Sequence, residues 1–103
     1  MSRIVAEFSI IPIGVSSTSL SKYIAIALKE LQKNNIKFQI TPMGTILEGD
    51  DLDDIFRAIS IAHKALVRSG IKRIIIKIEV DDRLDRPERT AQEKVLSVQE
   101  KLN

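Results

Sequence analysis

Residues 72–81 constrain the fold more than any other stretch: Ile74, Ile76, Ile78 and Val80 fall on every second position, and Arg73, Ile75, Lys77, Glu79 and Asp81 take the alternate ones. Only an extended strand puts all four apolar side chains on one surface. Residues 3–13 repeat the pattern near the start of the chain. Ile4, Ala6, Phe8 and Ile10 share one side, and Val5, Glu7, Ser9 and Ile11 share a mixed one. Two strands so far apart in sequence need intervening elements to bring them together.

Those elements read as follows. Gly14 and the serine-rich run Ser16–Ser19 form a polar loop that offers several helix N-caps. Leu20, Ile24, Ala27, Leu28 and Leu31 then make one apolar stripe at helical spacing, stopped by Asn34-Asn35. Residues 36–42 predict a second strand with Ile36, Phe38 and Ile40 on one side, ended by Pro42, which has no N–H to give a sheet. Met43-Gly44 turns the chain into a short strand over 45–48. Asp50 or Asp51 caps a second helix with the stripe Leu52, Ile55, Phe56, Ile59, His63, Leu66 and Val67, closed by Gly70. After the strand at 72–81 and the charged connector Asp82–Pro87, Thr90 and Glu93 have capping-box spacing ahead of a last helix carrying Val95, Val98 and Leu102.

The order β-α-β-β-α-β plus a C-terminal helix predicts an α+β fold, the ferredoxin-like plait, as one domain over residues 1–103. Right-handed crossovers put both main helices on one side of a four-stranded antiparallel sheet. The other side holds Val5, Ile11 and Ile75 beside Glu7, Ser9, Lys77 and Glu79. A half-apolar bare face of this kind predicts contact with another subunit, with the terminal helix as a second candidate.

Composition narrows the function. With no cysteine, disulfides, zinc–thiolate sites and thiol nucleophiles are excluded. A formal charge of +2 gives no argument for nucleic acid or an anionic membrane. The strands also lack the stacking aromatics of RNA-binding plaits. No apolar run approaches a membrane span and no signal peptide is legible, so a cytoplasmic protein is expected.

His63 is the single histidine, too few for a triad or a paired-histidine metal site. It reads as a hydrogen-bonded core histidine or as a pocket group. The acids Glu48, Asp50, Asp51, Asp53 and Asp54 suit helix capping better than calcium, since their spacing is not that of an EF-hand loop. Glu48 ends a strand before Gly49 and could point into a cleft. The mixed charges of 81–86 read as salt bridges. Neither a cofactor nor a metal is expected, and with no nucleophile beside a base the chain is expected to catalyse nothing.

Three segments carry a resemblance: Ile11-Pro12-Ile13-Gly14 with Ser17, Ser19, Ser21 and Tyr23; Met43-Gly44-Thr45-Ile46-Leu47-Glu48-Gly49; and Asp81-Asp82-Arg83-Leu84-Asp85 with Glu93-Lys94-Val95. Together they resemble the thiamine-binding-protein-like family of small ferredoxin-like proteins. The resemblance spans nearly the whole chain. It implies a homotetramer built as a dimer of dimers, binding thiamine or its hydroxymethylpyrimidine moiety without catalysis. A site for that cation wants a carboxylate, hydrogen-bonding hydroxyls and an apolar wall. Thr45, Glu48, Ser19 and Ser21 would supply the polar groups, Ile11 and Met43 the wall, with Gly44 in the same segment. Glu48→Ala is then expected to abolish binding. The alternatives are a regulatory domain of the amino-acid-sensing type and a structural oligomer with no ligand.

Overall fold

The computed structural model describes residues 3–16, 19–85 and 91–103. Its elements are β1 (Ile4–Ile13), α1 (Ser21–Lys33), β2 (Gln39–Ile40), β3 (Thr45–Gly49), α2 (Leu52–Arg68), β4 (Arg73–Asp82) and α3 (Ala91–Leu102). The strands form one antiparallel sheet in the order β2-β3-β1-β4. This is the α+β plait with its additional C-terminal helix.

β1 organises the sheet. It pairs with β4 along its full length, from Ile4 opposite Asp82 to Ile13 opposite Arg73. On its other side it pairs with β3 only from Ile4 (opposite Gly49) to Phe8 (opposite Thr45). Its period of two then sorts the side chains. Ile4, Ala6, Phe8 and Ile10 are buried against α1 and α2, while Val5, Ser9, Ile11 and Ile13 are half-buried on the bare face.

The helices deliver small and branched residues to that core: Ala27, Leu28 and Leu31 from α1, and Ile55, Ala58, Ile59, Ala62, Ala65 and Leu66 from α2. Here the sequence stripe for α2 needs correction. Leu52, Phe56 and Val67 are exposed, and the inward face is completed by alanines. Alanine lets a helix lie close to its neighbours, so the contact stripe turns toward Ala58, Ala62 and Ala65 and the larger side chains at its margins stay in solvent.

Both helices end in the same way. Asn35 (φ 58°) and Gly70 (φ +87°) take the left-handed conformation after the last turn. Ile36 N–H donates to Leu31 O and Ile71 N–H to Leu66 O, the six-to-one bond of a Schellman motif. The starts differ. Asp51 caps α2, its carboxylate accepting from Asp53 N–H at 2.9 Å. The serine-rich loop does not cap α1 as expected: Leu20 occupies that position, with no side-chain cap. Ser17 and Thr18 lie outside the described residues, as does Thr90 of the expected capping box.

Two further expectations are adjusted. β2 is only two residues long; Ile36 and Phe38 pack on the core from an irregular approach, while Ile40 is 68% exposed. α3 buries none of its residues and leaves Val95, Val98 and Leu102 in solvent. Polar groups attach it to the sheet. Glu48 Oε1 accepts from Ala91 N–H at 3.0 Å, and Lys94 pairs with Asp81.

These packing differences predict unequal mutational costs. Leu66→Ala is expected to lower stability by about 2–5 kcal/mol, because a fully buried side chain leaves a cavity. Val67→Ala, one residue on and facing solvent, is expected to change it by less than about 0.5 kcal/mol. Urea unfolding of the two variants measures both.

Candidate functional site

The unequal pairing of β1 creates the site. β3 stops at Thr45, opposite Phe8, yet β1 continues to Ile13. The space beside this unpaired stretch is bounded by the β2–β3 turn, by the first turn of α1 and by the middle of β4. It is a cavity of about 550 Å³, within the range of small-molecule sites. Phe8, Ile10, Leu20, Ile24 and Ile78 give it apolar walls, and Glu7, Ser9, Lys77 and Glu79 add polar groups along its strands.

The turn is stiffened by one side chain. Thr41 N–H and Thr41 Oγ1 both donate to Gly44 O, at 2.9 and 2.8 Å, and Thr41 Oγ1 accepts from Gly44 N–H at 3.1 Å. Pro42 and Met43 form the tip, and Met43 is 81% exposed at the rim of the cavity. Gly44 is required by close approach: a Cβ there would lie 3.0 Å from Phe8 O and 3.0 Å from Glu7 Cγ.

Thr45 is the one buried polar residue among those described, at 6% exposure. Among the described residues its hydroxyl has no hydrogen-bond partner, and no buried side-chain oxygen or nitrogen is left enclosed without one. The Thr45 hydroxyl therefore retains access to the cavity that the residue lines. A buried donor–acceptor is stable in such a place when water or a ligand completes its bonding.

Of the residues singled out from sequence, Ile11, Met43, Gly44 and Thr45 come together in the lining. Ser19 and Ser21 flank Leu20 just outside it, their hydroxyls 3.2 Å apart. Glu48 lies on the bare face opposite Val5, engaged with the N-terminus of α3. His63 is half-buried on α2 and does not line the cavity. The carboxylates that do are Glu7 and Glu79, directly opposite each other across β1 and β4. Sequence reasoning assigned both to the bare face and stopped there; what it lacked was the early end of β3.

The remaining acids serve structure. Asp50 accepts from Arg3 N–H at 3.0 Å, and Asp82 pairs with the Arg3 guanidinium at 2.6 Å. Asp85 holds Arg83 through two 2.8 Å bonds, and that hydrogen bonding together with its charge raises the guanidinium above its ordinary pKa. The 81–86 segment is thus occupied by ion pairs over its described residues. Among the described residues no group of three or more acids and histidines could hold a metal ion. None of the described helices is long and apolar enough to cross a membrane.

The chain matches the family described as Thiamine-binding protein over residues 6–99, and it belongs to that family. It is 43% identical to a UPF0045 protein of Methanothermobacter thermautotrophicus, with 96% of this chain and 99% of the relative aligned. It is 38% identical to the UPF0045 protein YqgV of Bacillus subtilis, covering 95% and 96%. The fold resembles the crystal structure of a hypothetical protein of Methanocaldococcus jannaschii at TM-score 0.80 and 38% identity, covering 97% of this chain and 99% of that one. It also resembles a Thermotoga maritima protein provisionally assigned to thiamine biosynthesis or salvage, at TM-score 0.72 and 19% identity, covering 92% and 97%. That last likeness is one of fold.

The contacts at Gly44 generate a direct test. Gly44→Ala is expected to cost about 1–3 kcal/mol, because the backbone carbonyl of Phe8 cannot swing aside as a side chain would. Denaturant unfolding measures the loss. An unchanged midpoint would mean that the turn shifts freely.

Proposed function

We propose that this protein binds thiamine, or the hydroxymethylpyrimidine moiety of thiamine, in the cavity beside β1, without chemical turnover, as a cytoplasmic homo-oligomer. The observation that carries the reading is Thr45: a residue only 6% exposed whose hydroxyl makes no hydrogen bond among the described residues and which lines a cavity of about 550 Å³ with apolar walls and charged strand residues. Family membership supplies the ligand class. In this reading Thr45 hydrogen-bonds the aminopyrimidine, Ile11 and Met43 pack against its ring, and Gly44 keeps the turn close to β1. Glu7 and Glu79 supply negative charge for the cation.

Glu48, Ser19 and Ser21 complete the set expected from sequence, and mutation separates their roles. Thr45→Val is expected to weaken thiamine binding by roughly two- to tenfold, since a hydrogen bond between neutral groups is worth about 0.5–1.5 kcal/mol, and Glu7→Gln is expected to weaken it by removing a negative charge that faces the cation. Glu48→Ala is expected to keep near-normal affinity while loosening α3. Isothermal titration with thiamine and with hydroxymethylpyrimidine tests all three. Loss of binding in Glu48→Ala alone would move the site to the base of α3. No heat with either compound would remove the vitamin reading.

Lys77 beside two carboxylates also fits an amino-acid zwitterion, as a regulatory domain would bind. Titration with a panel of amino acids separates that reading. The oligomer rests on the bare face, where Val5, Ile11, Ile13 and Ile46 are half-buried and Ile75 is exposed. Such a face suits the second interface of a dimer of dimers.

A further inference from the structure

On the bare face of the sheet, β1 and β4 set their side chains in rungs, each a pair of residues directly opposite. Three rungs follow one another: Glu7 with Glu79, Ser9 with Lys77, and Ile11 with Ile75. Successive rungs on one face are two residues apart, about 7 Å along the strands. The row therefore passes from two carboxylates to a hydroxyl and an ammonium, and then to apolar side chains. Glu7, Ser9, Ile11, Lys77 and Glu79 all line the cavity. The vitamin reading uses the acidic rung for the cation and Ile11 for the ring. It leaves Ser9 and Lys77 with nothing to bind.

Both side chains are available. Among the described residues neither Ser9 nor Lys77 makes a hydrogen bond or an ion pair. The acids around Lys77 are turned elsewhere. Glu7 leans to the β3 side of β1, where its Cγ lies 3.0 Å from the place a Cβ on Gly44 would take. Asp81, the acid beyond Glu79 on the same face of β4, pairs with Lys94. The first turn of α1, which bounds the same cavity, carries no acid. A helix start of that kind favours negative charge beside it. A hydroxyl opposite an ammonium gives a tetrahedral oxyanion a neutral donor and a charged one.

We propose that Ser9 and Lys77 form an anion subsite of this cavity, and that the ligand is a phosphate ester of the cationic vitamin rather than the free alcohol. The proposal rests on the vitamin reading above and extends it by one rung. The positively charged ring lies at Glu7 and Glu79, where two carboxylates directly opposite each other repel until a cation joins them. The phosphate lies at Ser9 and Lys77. The separation of the rungs selects this ligand class. A ring with a phosphate on a two-carbon arm places opposite charges on successive rungs. An α-amino acid carries both charges on one carbon and meets one rung at a time.

Titration calorimetry with thiamine and with thiamine monophosphate, at equal ionic strength, tests the subsite. The wild-type chain is expected to bind the monophosphate roughly tenfold or more tighter than thiamine, as a charge-assisted contact allows. Lys77→Gln is expected to erase that preference, and Lys77→Arg to keep it. Ser9→Ala is expected to reduce it by roughly two- to tenfold. Lys64→Gln, which removes a charge from α2 outside the lining, is expected to leave the ratio unchanged. Circular dichroism confirms the fold of each variant. Thiamine bound as tightly as its monophosphate, or more tightly, overturns the anion subsite and leaves the vitamin reading standing. A preference that survives in Lys77→Gln, or that falls equally in Lys64→Gln, overturns the assignment to this rung. Binding of neither compound overturns both readings.

Discussion

The ten-residue antiparallel pairing of β1 with β4 is the constraint on which the other features depend. It joins residues 60 to 78 positions apart, from Ile13 with Arg73 to Ile4 with Asp82, so its loop-closure cost must be met by dense burial. Ile4, Ala6, Phe8 and Ile10 supply that burial from β1, under the branched and small residues of α1 and α2. β3 contributes a shorter strand, and the mismatch in length leaves the second half of β1 with a free side. A cavity forms there because a central strand outruns one neighbour while the other follows it to the end. Had β3 matched β1 in length, its own side chains would fill the space that Leu20, Ile24 and Met43 now surround.

Much of this was legible in the sequence for a simple reason. Period-two and period-3.6 patterns report which side of an element is buried, and β1 and β4 each carry four apolar residues on alternate positions, against a second face that is mixed. The helix ends were legible too, since Asn34-Asn35 and Gly70 are residues that tolerate left-handed backbone. What hydrophobicity could not reveal was how near two surfaces come. Ala58, Ala62 and Ala65 look neutral in a sequence, yet they set the face of α2, while Phe56 and Val67 look like core and are exposed. Proximity is a property of the pair, not of the residue. The same applies to β2, where Ile40 keeps the strand's alternation but has no element above it.

The site was legible in part, and the boundary is physical. Gly44 and Thr45 sit where a turn meets a strand, and motif resemblance marks such positions well because the local geometry is fixed within a few residues. Charged residues behave differently. Glu48 precedes a glycine at the end of a strand, which suits a cleft, but its carboxylate meets the unsatisfied amide of Ala91, forty-three positions away. Helix starts carry a partial positive charge and bare N–H groups, so a nearby carboxylate is drawn to them. Nothing local to residue 48 encodes where α3 begins. Conversely Glu7 read as an ordinary solvent-facing residue on a mixed strand, and only the end of β3 and the absence of a side chain at Gly44 bring it to the cavity.

α3 shows how such polar anchoring shapes what remains adaptable. A helix that buries no residue gains little from the hydrophobic effect, and most helical stability in proteins comes from packing an apolar face. Here one capping carboxylate and one exposed ion pair secure it, and contacts of that kind contribute on the order of 1 kcal/mol each. Its docking energy is therefore small beside that of α2, whose alanine face is locked into the core. The sheet and its two covering helices form the rigid part of the molecule, with α3 as a weakly held appendage whose Val95, Val98 and Leu102 remain available for burial. The cavity lies between β1, the β2–β3 turn and α1, all on the rigid side of that division. Its walls come from the sheet, the β2–β3 turn and α1, while α3, anchored at Glu48 and Asp81, contributes no residue to the lining.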